Sequence, residues 1–158
     1  MLRQFSNSVY MGILLLLLLS ASLLIHILIM LRYYRPGLIM VSLLTAGMFL
    51  SWFYTSNRIK LLADHFPADN PWKRFVSSSP DFLKFIVGFI IIYALINLFI
   101  SMRAANGPGL FNADIPYYKL RGLSGFWMAF FALASLVQLT MNRQIMLQNA
   151  DENERDNR

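Results

Sequence analysis

Three observations predict an all-α integral membrane protein built as a four-helix transmembrane bundle. Of the 158 residues, 57% are hydrophobic and only 14% charged, about half the charge that a water-soluble domain carries on its surface. Four stretches, 9–31, 37–57, 85–102 and 122–142, contain no Asp, Glu, Lys or Arg over 23, 21, 18 and 21 residues, and a hydrocarbon core about 30 Å thick needs roughly 20 residues of helix. None of the four alternates polar and apolar residues as a barrel strand does. Helices, which satisfy their own backbone hydrogen bonds, are then the form in which they can cross lipid.

The first run, 9–31, begins after Arg3 and contains an unbroken leucine stretch from Leu14 to Leu19. Its Ser20-Ala21-Ser22 imitates a signal-peptide cleavage site. The apolar run continues nine residues beyond Ser22, however, so the expectation is a retained first helix. Only Arg32-Tyr33-Tyr34-Arg35-Pro36 separates it from the second run, which predicts an N-terminal helical hairpin. Pro36 suits a first helical turn, and the two tyrosines suit the interfacial aromatic belt.

The loop 58–84 mixes Pro67, Pro71 and Pro80 with Phe66, Trp72, Phe75 and Phe82, which predicts a seat in the headgroup layer. Ser79-Pro80-Asp81 reads as a helix start, Ser79 being the N-cap, so the third helix is placed at about 82–102. Asn106-Gly107-Pro108-Gly109 breaks the chain, and Tyr117 to Arg121 leads into the fourth helix at 122–142. The domain is thus 1–142. The remaining 143–158, the polar tail, is expected to begin as a helical extension and to end disordered in 151–158, eight residues with no apolar side chain.

Composition also excludes chemistry. With no cysteine, disulfides, thiolate metal sites and cysteine nucleophiles are ruled out. The net charge of +6 and pI near 9.9 come from Lys and Arg flanking apolar runs, where they set topology and contact anionic lipid, so no nucleic-acid partner is expected. The face with the N-terminus, loop 58–84 and the tail carries nine of these residues, and the other face five. That imbalance predicts a cytoplasmic membrane with both termini cytoplasmic.

Polar residues inside the runs are the candidates for function. His26 and Asn97 each lie five residues from a helix end on the 103–121 side, about 7–8 Å inside that boundary, and Thr45 lies about 12 Å down. His26, Thr45 and Asn97 are therefore expected to form one hydrogen-bonded cluster that acts as packing glue. Ser124 has no base beside it in sequence, so it reads as part of a helix start. Small or polar residues recur at helical spacing: Gly47, Ser51 and Thr55; Tyr93, Asn97 and Ser101; Gly125, Ala129 and Ala132. Such stripes mark contact faces. Phe66, Trp72, Phe75, Tyr117, Tyr118, Arg121 and Trp127 form a candidate interface of aromatic anchors among basic residues.

No catalytic motif, cofactor or metal site is expected. The reading is a small non-catalytic accessory, assembly or immunity-type subunit that binds the bilayer and another membrane protein or a second copy of itself. A small channel, transporter or lipid-binding protein is the alternative. Topology reporters fused after Asn70 and Asn112 should place the first inside and the second outside. Signals on the same side would overturn the count of four spans, and the reverse pair would overturn the orientation.

Overall fold

The computed structural model describes residues 2–65, 71–103 and 115–156, and side chains at 9–60, 73, 75–102, 115–144 and 146. It contains five helices: α1 Leu2–Met30, α2 Leu38–His65, α3 Pro71–Ser78, α4 Asp81–Arg103 and α5 Tyr117–Asp156. There is no strand among the described residues. Four helices are long and apolar enough to cross a membrane, with spans Val9–Met30, Leu38–Lys60, Asp81–Met102 and Tyr117–Gln144.

These spans do not share the interior equally. Within its most apolar stretch, α5 is 67% buried, against 28%, 28% and 22% for α1, α2 and α4. Close helix packing runs through α5, which meets α1, α2 and α4 far more extensively than those three meet one another. The predicted first hairpin is therefore a pair of consecutive helices that each pack on α5. Contacts set the directions. Thr45, Gly47 and Tyr54 of α2 meet Trp127, Phe131 and Gln138, so α2 runs parallel to α5. Gly12 and His26 of α1 meet Gln138 and Ser124, and Ser101 and Ala94 of α4 meet Gly122 and Gly125, so both of those helices run antiparallel to it.

The turn after α1 closes as a Schellman motif. Tyr33 N–H donates to the Leu28 carbonyl at 3.0 Å and Arg32 N–H to that of Ile29 at 3.0 Å, with Arg32 in the left-handed region at φ 59°. That position usually holds glycine, since a Cβ there costs about 1–2 kcal/mol.

Three expectations change. The loop 58–84 contains a helix, α3, whose Phe75 is buried in a cluster with Ile59, Val87 and Val137. Ser79 does not cap α4: its hydroxyl donates to the Phe75 carbonyl at 2.8 Å, closing α3, and meets Thr140 Oγ1 at 3.0 Å. The tail, expected to end disordered, continues α5 to Asp156. Its Gln, Ala, Glu and Arg residues are adequate helix formers, and extending an existing helix avoids the cost of nucleation.

The tightest approach is between α4 and α5. A Cβ built on Gly122 would lie 2.5 Å from Ser101 Oγ and 2.8 Å from Ser101 Cβ, so only glycine lets the two helices meet there. Gly122→Ala should destabilise the protein in detergent by about 1–3 kcal/mol, the usual cost of overpacking. Adding Ser101→Gly should restore part of that loss, and thermal unfolding of the two variants checks both statements.

Candidate functional site

The linked polar side chains lie in two layers towards opposite ends of the Tyr117–Gln144 span of α5. At the end bearing the α5 N-terminus, His26 Nδ1 is 2.8 Å from Ser124 Oγ and Nε2 is 2.8 Å from the Tyr93 hydroxyl. The ring also stands edge-on to Tyr93, with centroids 5.4 Å apart. The Ser124 hydroxyl donates to the Arg121 carbonyl at 3.1 Å. The tautomer that completes this set has Nδ1–H donating to Ser124 and Nε2 accepting from Tyr93. Asn97, on α4, donates to the Tyr93 carbonyl at 2.9 Å and accepts from Arg121 Nε at 2.5 Å.

At the other end Tyr54 donates to Gln138 Oε1, and Gln138 Nε2 donates to Asn142 Oδ1 at 3.0 Å. Arg58 donates to the Tyr54 hydroxyl at 3.1 Å and lies over its ring. About 21 Å of helix separates Ser124 from Gln138. Between them Met48, Met128, Phe131 and Ala132 fill the interior, and the buried hydroxyls there, Ser51 and Ser135, donate to carbonyls of their own helices.

The expected trio is divided. His26 and Asn97 sit in the same layer, linked through Tyr93 and the Arg121–Ser124 turn. Thr45 instead accepts from Trp127 Nε1 at 3.2 Å on the α2 side of α5. Equal depth says nothing about which partner a side chain finds: Thr45 meets Trp127, one turn along α5 from the Ser124 that meets His26. Depth did carry a clue to Ser124. With α5 beginning at Tyr117, Ser124 lies seven residues in, about 10 Å along the helix and close to His26's level.

The candidate interface also separates. Trp127 is 0% and Phe75 3% exposed; both are core residues and cannot meet a partner, because α5 and α3 turn them inward. Tyr117, Tyr118 and Arg121 are half-buried. Tyr117 lies under Arg35, whose guanidinium is 5.8 Å from its ring centroid and donates to the Ile115 carbonyl at 2.8 Å. The Tyr118 carbonyl accepts from Ser101 at 2.6 Å. Phe66 lies outside the described residues, as does the side chain of Trp72.

A serine beside an imidazole can make a nucleophile and its base. Here Ser124 is 0% and His26 3% exposed, the serine proton is directed to a carbonyl, and the second ring nitrogen is held by Tyr93. Neither the polar hollow lined by Ser77, Asp81 and Arg143 nor the apolar groove beside Trp52 reaches them. In this arrangement the pair fastens α1 and α4 to α5.

That groove is the second notable feature. It measures about 250 Å³ and is lined by Trp52 of α2, by Ile91, Ala94 and Leu95 of α4, and by Phe126, Ala129, Phe130 and Leu133 of α5. The four α5 residues recur at i, i+3, i+4 and i+7 and are only partly buried, so they form an open stripe between α2 and α4. One turn further on, Val137 is covered within the cluster that contains Phe75.

Fold and site together define an all-helical, multi-pass membrane protein whose fourth span is the hub. The chain matches no protein-family model, no curated protein and no solved structure.

Interhelical hydrogen bonds in membranes contribute about 0.6–2 kcal/mol each. His26→Ala should therefore lower stability in detergent by about 1 kcal/mol. Because His26 and Ser124 share one bond, the His26→Ala, Ser124→Ala double variant should lose less than the sum of the singles in thermal unfolding. Strictly additive losses would mean the two side chains are not coupled.

Proposed function

We propose that this protein is a non-catalytic accessory subunit of a cytoplasmic membrane that binds a transmembrane helix of another membrane protein along the open stripe of α5. The observation that carries the reading is the vacant side of the hub. Among the described residues α1, α2 and α4 pack along α5, α3 reaches it at one end, and between α2 and α4 the groove walled by Trp52, Phe126 and Phe130 is left open. Ala94 and Ala129 leave the groove shallow enough for a neighbouring backbone to come close, the usual basis of helix association in lipid.

Size supports a helix laid over the groove. One helical turn 10–12 Å across and 5.4 Å high occupies roughly 400–600 Å³, so 250 Å³ takes side chains from a partner and leaves its backbone outside. Trp52 and Phe130 pack edge-to-face at 5.6 Å, and Phe126 lies 5.8 Å from Phe130. Such rigid aromatic walls are the kind of anchor that dominates interfaces. The transport alternative has less behind it, since the zone around Phe131 and Met48 separates the two polar layers and its buried hydroxyls, Ser51 and Ser135, are tied to their own helices. The nine-to-five distribution of basic residues supports cytoplasmic termini.

A photo-crosslinking residue at Leu133, introduced into the protein in its native membrane, should give a protein adduct of defined mass. The same residue at lipid-facing Leu17 should give none. Ala129→Phe should fill the groove and abolish the adduct while leaving thermal stability within about 1.5 kcal/mol. Lipid adducts alone at both positions would reject the reading, and an adduct of twice the chain's mass would identify the partner as a second copy.

A further inference from the structure

A second feature, independent of the groove, concerns the charge at the N-terminal end of α5. Arg121 is half-buried, and its Nε is held at 2.5 Å by Asn97 Oδ1. Asn97 is itself 1% exposed and anchored through its amide to the Tyr93 carbonyl. One edge of the guanidinium is thereby fixed to the interior of the bundle. Among the described residues no carboxylate pairs with Arg121, and no hydrogen bond engages its two terminal nitrogens. Arg35, the neighbouring cation, is accounted for by the Ile115 carbonyl and the Tyr117 ring.

A cation held at the edge of the hydrocarbon core by a buried amide is costly unless an anion neutralises it. Asn97 cannot do this, because an amide oxygen carries no net charge. The free edge presents two parallel N–H donors, the geometry that matches a carboxylate or phosphate in bidentate fashion. At this depth the abundant anion is the phosphate of the lipid itself. The charge that Arg121 carries at this end favours a headgroup with net negative charge.

We propose that Arg121, positioned by Asn97, is the binding point for the phosphate of an anionic phospholipid. The site lies about 140° around α5 from Phe126 at 100° per residue, so it is separate from the open stripe. Lipid bound here holds the α4–α5 end of the bundle, where Gly122 and Ser101 make the closest approach.

The test is lipid retention by the full-length protein, purified in mild detergent from membranes containing phosphatidylglycerol and phosphatidylcholine and read by native mass spectrometry. The intact protein should retain phosphatidylglycerol over phosphatidylcholine. Arg121→Gln should reduce that retention about tenfold, whereas Arg35→Gln should change it less than threefold. Asn97→Asp is the second variant. It keeps Arg121 and places a carboxylate against its guanidinium, so it should also suppress retention, in a protein whose thermal unfolding shows that it remains folded. Equal retention in the intact protein, Arg121→Gln and Asn97→Asp would overturn the proposal, as would equal retention of the two lipids by the intact protein. Displacement of the lipid by millimolar inorganic phosphate would overturn it in favour of a soluble anion. Ala129→Phe should leave retention unchanged, so failure of the groove reading and failure of this one are distinguishable.

Discussion

A helix that carries Ser124, Gln138 and Thr140 cannot turn those residues toward hydrocarbon, where each unpaired polar group costs several kcal/mol. In this protein all three lie on α5, and all three are buried. Each finds a partner outside α5: Ser124 in His26 of α1, Gln138 in Tyr54 of α2, and Thr140 in Ser79 of the turn between α3 and α4. The need to match polar groups that only α5 presents in such number draws the other three spans around it. The bundle is therefore a hub with three spokes, and its helices do not form a ring of equal neighbours.

Apolar burial alone could not have chosen this arrangement. In a bilayer a leucine gains little by moving from lipid to protein, because lipid tails are as apolar as its new surroundings. The long exposed faces of α1, α2 and α4, with Leu17, Phe53, Phe89 and Phe99 turned outward, are thus at little disadvantage. Direction and register come from geometry-specific contacts: hydrogen bonds at the two polar layers and close approach at Gly122. The layers lie about 21 Å apart along α5, and sliding a partner by one turn would break the layer in which that partner takes part. The same logic explains the groove, which costs little to leave beside lipid and becomes useful once a complementary surface arrives.

How much was legible depended on the range of the interaction involved. The four spans were plain because a charge inside the core is expensive, so each appears as an uncharged run. Helix α3 was not: it has only eight residues, beginning at Pro71, and the residues that cover its Phe75, Ile59 and Val87 among them, come from other helices. Its Phe75 looked like an interface anchor because the sequence of a loop does not show what will cover it. Trp127 misled in the same way. A tryptophan near a helix start resembles an interfacial anchor until α2 supplies Thr45 for its indole N–H. Ser79 was read by local rules as a cap for the following helix, yet its hydroxyl closes the preceding one and meets a residue 61 positions away.

By itself the sequence determined the number of spans, their limits at the uncharged core, and the depth of each polar residue, because all three follow from one-dimensional arithmetic at 1.5 Å per residue. His26 and Asn97 could be placed at one level on that basis. Only the tertiary structure decided which residues at a level face one another. Ser124 had no base within its own stretch of chain and received His26 from 98 residues away. Thr45, near the right depth, was taken by the indole N–H of Trp127 and not by His26. Depth is a property of one helix in a membrane, whereas azimuth is set by how several helices rotate to satisfy their polar groups together, and that joint solution exists only in three dimensions.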